Sequence, residues 1–586
     1  MPQVRLPLPV FVLAFVCAIT FQADAARLKV AVVQTVIEDT LQENCEKLLR
    51  FIDQAQEAGC RLTIFPEGAL YYSEIATEHP TKADLDSAIE RIGKRARRAG
   101  MTVVFGTEYK STEDGKYQNR GVVYDPSGAR RVFYKKNMEV PQPFPVDGVA
   151  CNFLICSDRG YLEHSDLPCL VQGTQVIIDI SGGHGGDDGR PDLRWIRYRP
   201  WALRTGAFVM VSNPVHGDTD FMGHCPWGGG SAIIRPDGSI QASLIHQKDT
   251  MIVEEIDTEL AARTPAERRR NHPIFKSFWD MGKTLLEGGV VEPVPAVKPY
   301  SSASRSVKIA AVQMACSRDI DRNVDAMLRH IAEAASEKAD IVVFPELAVT
   351  GGLEADIRAA TEPALRGALE RIRIAARSSS IFVIFGMPAL KNERRRNCAY
   401  VIGSDGGVET RYDQIGVPNS GPFEGGTDVK TMWFAFKGVP AIVTIGADAD
   451  WIELADLAAN RGMILHFHIT YETDPSADAA ILRTQRNLLL LTYARYGVVV
   501  NAADPSGLAN PSTPAGGRSM IVSREGGHNK PAPQGLEYYL PYQTSIITGA
   551  ERQETILYAT RKTPGRNDMD LATSWSERRA SDAVSA

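Results

Sequence analysis

Cysteine and positive charge are both in short supply in this sequence. The chain has 586 residues but only nine cysteines, and they are scattered with no C-x-x-C pair. That spacing argues against a zinc site and against a dense disulfide framework. The formal net charge of -6 lacks the basic footprint of a nucleic-acid-binding protein. The rest of the composition, 44% hydrophobic and 23% charged, is ordinary for a globular protein.

Long hydrophobic runs are also lacking. The run Leu6–Thr20 spans about 15 residues, fewer than the ~20 that a membrane-spanning helix needs. Arg5 precedes it and Ala23-Asp24-Ala25 follows it, a pattern typical of a secretory signal peptide. We therefore expect residues 1–25 to be removed and the mature protein to be exported, periplasmic or secreted, without a membrane span. A membrane anchor is the alternative. The later run Leu488–Leu491 is expected to be the buried face of a helix.

The chain contains an internal repeat. Leu28–Gln34 resembles Val307–Gln313, 279 residues later, and the triplet Phe65-Pro66-Glu67 recurs at the same offset as Phe344-Pro345-Glu346. Further matches follow at offsets of 290 and 288 residues. A period this long excludes a solenoid and indicates a duplicated domain.

The repeat divides the chain into five parts. Residues 1–25 are the predicted signal peptide, 26–283 the first domain, 284–306 a linker, 307–564 the second domain and 565–586 a polar tail. The linker is rich in Val, Pro and Ser and has no apolar period.

Strand and helix patterns alternate within the first domain. Short apolar runs predict strands at Lys29–Val33, Leu62–Phe65 and Thr102–Phe105, and apolar residues at helical spacing predict helices at Cys45–Ala58 and Ala83–Ala99. This alternation predicts an α/β domain with helices covering a sheet.

Cys156 is the best candidate for chemistry. It ends the predicted strand Phe153–Cys156 and opens into the polar turn Ser157-Asp158-Arg159. A thiol held there by a rigid element, with free backbone N–H groups just after it, is placed like a nucleophile. The alternative is an inert core cysteine, since free Cys is among the most buried residue types.

Two upstream residues complete a chemical set with this thiol. Glu67 leaves the sheet after the strand Leu62–Phe65, and Lys136 follows a short strand further on. Alone, each is better explained as a solvated surface residue. Together, a buried carboxylate can act as the base for the thiol, and an ammonium can stabilise an oxyanion.

In this order the motifs resemble the nitrilase superfamily, the carbon–nitrogen hydrolases. The motifs are Ile64-Phe65-Pro66-Glu67, Tyr134-Lys135-Lys136, and Leu154–Asp158 followed by Glu163. The resemblance implies two tandem α-β-β-α sandwich domains. It also implies hydrolysis of a small-molecule non-peptide amide, an N-carbamoyl compound or a nitrile through a cysteine thioester, with no metal or organic cofactor.

The same resemblance assigns roles to single residues. It makes Cys156 the nucleophile, Glu67 the general base and then acid, and Lys136 the electrostatic stabiliser. The backbone N–H of Ser157 is the implied oxyanion donor.

The first domain also departs from the family pattern. It has lost about a dozen residues of a loop that often carries a second pocket glutamate in relatives, and Glu139 is the candidate to replace it. His184 and Trp195 lie where relatives place substrate contacts. The alternatives are an exposed loop histidine and a core tryptophan.

The second domain keeps only part of the set. Glu346 matches the glutamate, but Gln414 replaces the lysine and Gly446 replaces the cysteine. Because that chemistry is lost, we expect a structural partner that packs on the first domain as an internal pseudo-dimer. The rival interpretation is that the emptied pocket binds a ligand through His466 and His468.

Three functions remain in competition. The leading one is an exported thiol-dependent carbon–nitrogen hydrolase with a degenerate second domain. Acyl transfer from the same thioester to an amine is the second. A non-catalytic binding or scaffold protein is the third, and the retention of Glu67, Lys136 and Cys156 in one half argues against it. Export would require the catalytic thiol to stay reduced, with Cys169 or Cys225 as its candidate disulfide partners. Association of whole chains into a homo-oligomer is left open.

Overall fold

The structure is a computed structural model, and it describes most of both halves. Of the predicted site residues, Lys136, Glu139 and His184 lie outside its described part, as do the predicted signal peptide, the tail and most of the linker. The described residues are 27–73, 75–110, 117–134, 142–160, 162–182, 195–215, 229–245, 247–287, 289, 306–391, 394–417, 421–491, 493–494, 496–504, 516–524, 537–540, 544–549 and 553–562.

The first half alternates strands and helices, as the sequence predicts. Its described strands are β1 (Arg27–Gln34), β2 (Leu62–Ile64), β3 (Thr102–Lys110), β4 (Tyr117–Tyr124), β5 (Arg130–Tyr134), β6 (Phe144–Val146), β7 (Val149–Ile155), β8 (Val176–Ile180), β9 (Phe208–Ser212), β10 (Ala232–Ile234), β11 (Ile240–Ser243) and β12 (Thr250–Asp257). Its described helices are α1 (Leu41–Glu57), α2 (Lys82–Ala99), α3 (Leu162–Ser165), α4 (Leu167–Gln172), α5 (Arg199–Thr205), α6 (Arg263–Asn271) and α7 (Lys276–Leu286).

These strands form two six-stranded sheets that pack face to face. One has the order β12-β1-β2-β3-β4-β5 and the other β11-β10-β9-β8-β7-β6. Alternate residues of β1 show the layering: Val30 and Val32 pack toward the other sheet, whereas Ala31 and Val33 pack toward α1 and α2. Helices α4 and α5 cover the outer face of the second sheet. The predicted α-β-β-α sandwich is confirmed.

The second half repeats this architecture. Its described strands are β13 (Ser306–Gln313), β14 (Ile341–Val343), β15 (Phe382–Lys391), β16 (Arg394–Ile402), β17 (Val408–Asp413), β18 (Trp433–Phe436), β19 (Val439–Ile445), β20 (Leu465–Thr470), β21 (Tyr496–Asn501), β22 (Met520–Arg524), β23 (Glu537–Leu540), β24 (Thr544–Thr548) and β25 (Thr555–Lys562). Its described helices are α8 (Ile320–Ser336), α9 (Glu354–Ala359), α10 (Glu362–Ser379), α11 (Ile452–Asn460) and α12 (Ala477–Leu491). The sheet orders are β17-β16-β15-β14-β13-β25 and β18-β19-β20-β21-β22-β24-β23.

The two halves pack against each other through one shared core. A single buried cluster joins Trp201 and Trp279 of the first half to Trp451 and Leu454 of the second. Helix α5 lies against α12, and Arg199 of α5 donates to Asp478 of α12 at 2.7 Å. The expected internal pseudo-dimer is therefore confirmed.

Two further expectations meet the structure here. The run Leu488–Leu491 lies at the end of α12 with three of its four leucines fully buried, and among the described residues no helix is long and apolar enough to cross a membrane. Helix α7 ends at Leu286 and β13 begins at Ser306. The predicted linker bounds of 284–306 stay a prediction, because most residues between these elements lie outside the described part.

Candidate active site

The strand β7 places Cys156 at its carboxyl end in an unusual backbone conformation. All seven residues of β7 are buried. The strand ends at Ile155 rather than at Cys156, which corrects the predicted bound. Cys156 has φ +51° and starts a short 3₁₀ turn that runs to Gly160. Few residues other than glycine adopt this left-handed region, and such exceptions cluster at functional sites.

Glu67 lies at the carboxyl end of β2 in the facing sheet. It is buried, and Asn119 Nδ2 of β4 donates to its Oε1 at 2.7 Å. The neighbouring strand β3 can approach this turn because residue 106 is glycine: a Cβ there would lie 2.6 Å from the Cα of Glu67. The carboxylate is therefore held by packing and by a hydrogen bond to its Asn119 neighbour.

The end of β8 brings Glu67 and Cys156 to one place. Asp179 of β8 accepts the backbone N–H of Cys156 at 3.2 Å. Three residues on, a Cβ at Gly182 would lie 3.3 Å from Glu67 Oε2. Cys156 and Glu67 thus lie near the end of the same strand, a placement compatible with a nucleophile and its base.

Asp179 is a site residue that no sequence motif indicated. Its carboxylate is fully buried and accepts Arg159 Nη1 at 3.1 Å. Burial raises the pKa of Asp179 to about 7 against the opposing charge of Arg159. The signal for it in the sequence was an acidic residue inside the apolar run Val176–Ile180, since charged groups are almost never fully buried unless paired.

Ser157 follows the cysteine in the same turn. Its hydroxyl oxygen is buried and has no hydrogen-bond partner among the described residues. The hydroxyl is therefore available to a ligand beside the backbone N–H that the sequence analysis singled out.

Trp195 is partly occupied by structural contacts. Its indole N–H donates to the carbonyl of Gly230 at 2.8 Å, and its ring packs against the core shared by the two halves. Its predicted contact with substrate stays a prediction, as do the roles of Lys136, Glu139 and His184.

The second half has closed the corresponding pocket. Asn397 donates to Glu346 Oε1 as Asn119 does to Glu67, and Gln414 bonds to Asn397 and to the carbonyl of Ile445. A Cβ at Gly446 would lie 2.6 Å from Glu346 Oε2. The glutamate carboxylate therefore fills the space that a cysteine side chain would need.

The two histidines of the second half lie on β20 beside this closed pocket. His466 and His468 are fully buried, and both rings bond to Thr444 Oγ1, at 2.7 and 2.9 Å. Burial lowers the pKa of His466 to about 3. These contacts agree with the structural interpretation of the histidines, and the ligand-binding interpretation stays a prediction.

The seven cysteines within the described residues are all buried, and none of them forms a disulfide with another of the seven. They include Cys156 and Cys169, so no disulfide joins this pair. Cys225, the other candidate partner, lies outside the described residues.

Comparisons with known proteins agree with this architecture. The model of the family described as carbon-nitrogen hydrolase matches residues 29–266 and 308–535. A comparison with curated proteins finds no match.

Solved structures of an amidase from Nesterenkonia sp. are similar to about half of the chain. One crystal structure of that amidase has 20% sequence identity, covers 49% of this chain and 98% of its own, and has a TM-score of 0.37. A mutant of the amidase from Nesterenkonia AN1, described as belonging to the nitrilase superfamily, has 18% identity, covers 49% and 98%, and has a TM-score of 0.36.

Proposed function

Because the chain belongs to the carbon-nitrogen hydrolase family, we propose that its first half hydrolyses a non-peptide amide, N-carbamoyl or nitrile bond through a thioester (or thioimidate) on Cys156. The observation that carries the proposal is the placement of Cys156 and Glu67 on either side of the β8 strand end. The second half supports a single catalytic centre, because it carries Gly446 where the first half carries its candidate nucleophile.

The proposed reaction on an amide has two stages. Glu67 takes the thiol proton as Cys156 Sγ attacks the carbonyl carbon, and the oxyanion that forms accepts hydrogen bonds from the Ser157 N–H and from Lys136. The C–N bond then breaks, and Glu67 returns the proton to the leaving amine. In the second stage Glu67 activates a water that attacks the thioester, which releases the acid and restores the thiol.

Export is a separate part of the proposal. The predicted signal peptide of residues 1–25 would direct the chain to a periplasmic or secreted location. The burial of Cys156 at the floor of the site, with 8% of its surface exposed, supports survival of a reduced thiol there, because access limits thiol–disulfide exchange.

The first experiment measures release of ammonia or amine from a panel of amides, N-carbamoyl compounds and nitriles. We expect turnover by the native chain and a loss on the order of 10⁴-fold or more in Cys156→Ala. Cys60→Ala is the matched control, because Cys60 is also a buried cysteine outside any disulfide but lies on the α1 side of the first sheet. It should keep full activity.

Two outcomes separate the competing functions. Faster product formation when an amine acceptor is added would favour acyl transfer over hydrolysis. No turnover on any substrate, with iodoacetamide labelling Cys156 no faster than Cys60, would overturn the nucleophile assignment. The binding-protein interpretation would then lead.

A further inference from the structure

A buried acidic residue lies beneath the nucleophile. Asp179 is completely buried in β8, whose other four residues are apolar. Burying a carboxylate is costly unless it is paired and hydrogen-bonded, so its retention needs an explanation. Its partners are the backbone N–H of Cys156 on Oδ1 and the guanidinium of Arg159 on Oδ2.

These two partners belong to the same turn. Cys156 begins the 3₁₀ turn and Arg159 is its fourth residue. Arg159 Nη1 also reaches Ser181 Oγ at 3.4 Å, and its guanidinium lies over the Tyr198 ring at 5.3 Å. The Asp179 carboxylate therefore connects the first residue of the turn to its fourth. The guanidinium of Arg159 is also fixed by its contacts with Ser181 and Tyr198.

The turn needs such a restraint because of its backbone. Cys156 has φ +51°, where a side chain with a Cβ is strained. Strained residues persist only where the surrounding structure over-determines them. The hydrogen bond from the Cys156 N–H to Asp179 acts directly on the strained residue.

The second half provides an internal comparison. Strand pairing sets Leu154 opposite Asp179 in one half and Thr444 opposite His468 in the other, so His468 stands where Asp179 does. The same alignment sets Gly446 at the position of Cys156 and Ala449 at that of Arg159. Gly446 keeps a left-handed φ of +44°, which glycine adopts without strain. The ion pair is thus absent in the half where the strained cysteine is absent.

We propose that Asp179 and Arg159 are positioning residues that hold Cys156 in its left-handed conformation and so direct its thiol toward Glu67. The N–H of Cys156 donates to Asp179. The N–H of Ser157, the next residue, is therefore the one that would donate to the substrate oxygen. This proposal rests on the nucleophile assignment made above. It extends that assignment to a buried pair that acts through the cysteine backbone.

The first test is a thermal-stability cycle that needs no substrate. Asp179→Asn is made in two backgrounds, the native chain and the Cys156→Gly chain. The decrease in Tm that it causes is then compared between the two. When the hydrogen bond and ion pair of Asp179 are weakened, Cys156 can leave the left-handed region and its backbone strain is relieved. Glycine at position 156 is not strained there, so the same change relieves nothing. We therefore expect a smaller loss of Tm in the native chain than in the Cys156→Gly chain.

Asp166 provides the matched control for this cycle. It is also a fully buried aspartate that accepts from an arginine, Arg204, at 2.8 Å, but it contacts the core between the halves rather than the cysteine turn. Asp166→Asn should lower Tm equally with Cys156 and with Cys156→Gly. Equal losses for Asp179→Asn as well would overturn the proposal.

The second test reads out the thiol itself. Iodoacetamide labelling, resolved by peptide mass spectrometry, should slow about tenfold at Cys156 in Asp179→Asn, as a misplaced reacting group predicts. Arg159→Lys should restore most of the rate that Arg159→Gln loses. With an active substrate, kcat should fall while KM changes little. An unchanged labelling rate of Cys156 in both Asp179→Asn and Arg159→Gln would contradict the positioning role. Absence of turnover by the native chain would instead count against the proposed function, and the stability cycle would still test the positioning role.

Discussion

Two equivalent turns in each half contain a residue with left-handed backbone. In each half one of these residues is glycine and the other is not, and the glycine is at opposite turns in the two halves. After the glutamates, Gly68 has φ +68° and Leu347 has φ +54°; at the nucleophile position, Cys156 has φ +51° and Gly446 has φ +44°. The fold therefore sets these conformations, and each half places one strained residue among them. Only in the first half does the strain lie on a group that can react.

Glu346 is the residue whose titration should be visible in stability. Burial raises its pKa to about 7, although Asn397 and the N–H of Tyr471 oppose the shift. Because the folded-state pKa lies above the unfolded value, its contribution is present at low pH and is lost as the pH rises through about 7. Between pH 4.5 and 7 this loss should be on the order of 3 kcal/mol, and Glu346→Gln should remove it from a Tm-against-pH series.

An exposed glutamate controls for this measurement. Glu370 lies on the solvent side of α10, and Glu370→Gln should leave the pH series unchanged. Asp448 and Asp456, whose pKa values burial raises to about 6 and 7, keep their own contribution in every chain. If Tm depends on pH equally steeply in Glu346→Gln and in the native chain, Glu346 stays ionised in the folded protein.

The candidate site could be predicted from sequence where a motif carried it. Glu67 and Cys156 were found because each follows an apolar strand, and parallel strands bring such positions to one edge. Asp179 and Arg159 were not found, because their meaning depends on the φ of Cys156 and on strand register, which no local pattern encodes. The absence of a cysteine at Gly446 was visible in the sequence, but the close approach of the Glu346 carboxylate to that position was not.

At the scale of elements, α6 connects the halves through a buried charge network. Arg269 of α6 donates to Asp166 at 2.6 Å and to Glu453 of α11 at 2.9 Å. Trp279 of α7 donates to the same Glu453 oxygen at 3.1 Å. Burial alone would raise the pKa of Asp166, but Arg204 and Arg269 hold it below its usual range. One arginine therefore compensates acidic groups of both halves.

Removing this arginine should destabilise the whole chain. Arg269→Met leaves Glu453 buried beside Asp456 and Asp166 without its arginine partner, and breaking a buried pair in this way costs about 3–5 kcal/mol. Denaturant unfolding measures the loss. Arg263→Met on the same helix is the control: among the described residues Arg263 forms a single ion pair, an exposed one with Glu267 at 3.3 Å, and its loss should cost less than about 1 kcal/mol. Similar losses in both variants would mean that the network contributes little.

Element prediction succeeded where the apolar period was strong and failed where contacts decide. Both predicted helices and all four strands predicted with bounds in the first half exist, with bounds that differ by a few residues. Helix α1 begins at Leu41, four residues before the predicted start, because Thr40 caps it through the N–H of Glu43. Helix α6 carries three consecutive arginines and has no clear apolar face, so its burial against the second half follows from pairing partners that are distant in sequence.

At the scale of the whole molecule, the second half completes a core that the first half leaves open. His272 and Phe275 of the first half pack on Trp451 of the second, with ring centroids 4.7 and 5.6 Å apart. Arg268 lies over the same tryptophan and donates to the carbonyl of Val417. The second half thus covers the helix layer that follows the cysteine turn.

This arrangement predicts that the halves depend on each other but not on the linker. A protease site placed within residues 290–300 should allow cleavage without separation, because the shared core and the Arg269 network hold the fragments together. Size-exclusion chromatography of the cut chain should give one species with both fragments.

Residues 26–286 expressed alone would expose Trp201, Trp279 and their apolar neighbours, and a patch of this kind drives association. We therefore expect that fragment to aggregate or to melt well below the intact chain, and co-expression with residues 306–564 to restore it. A stable monomer of the first half with the Tm of the intact chain would show instead that the second half contributes nothing to its fold.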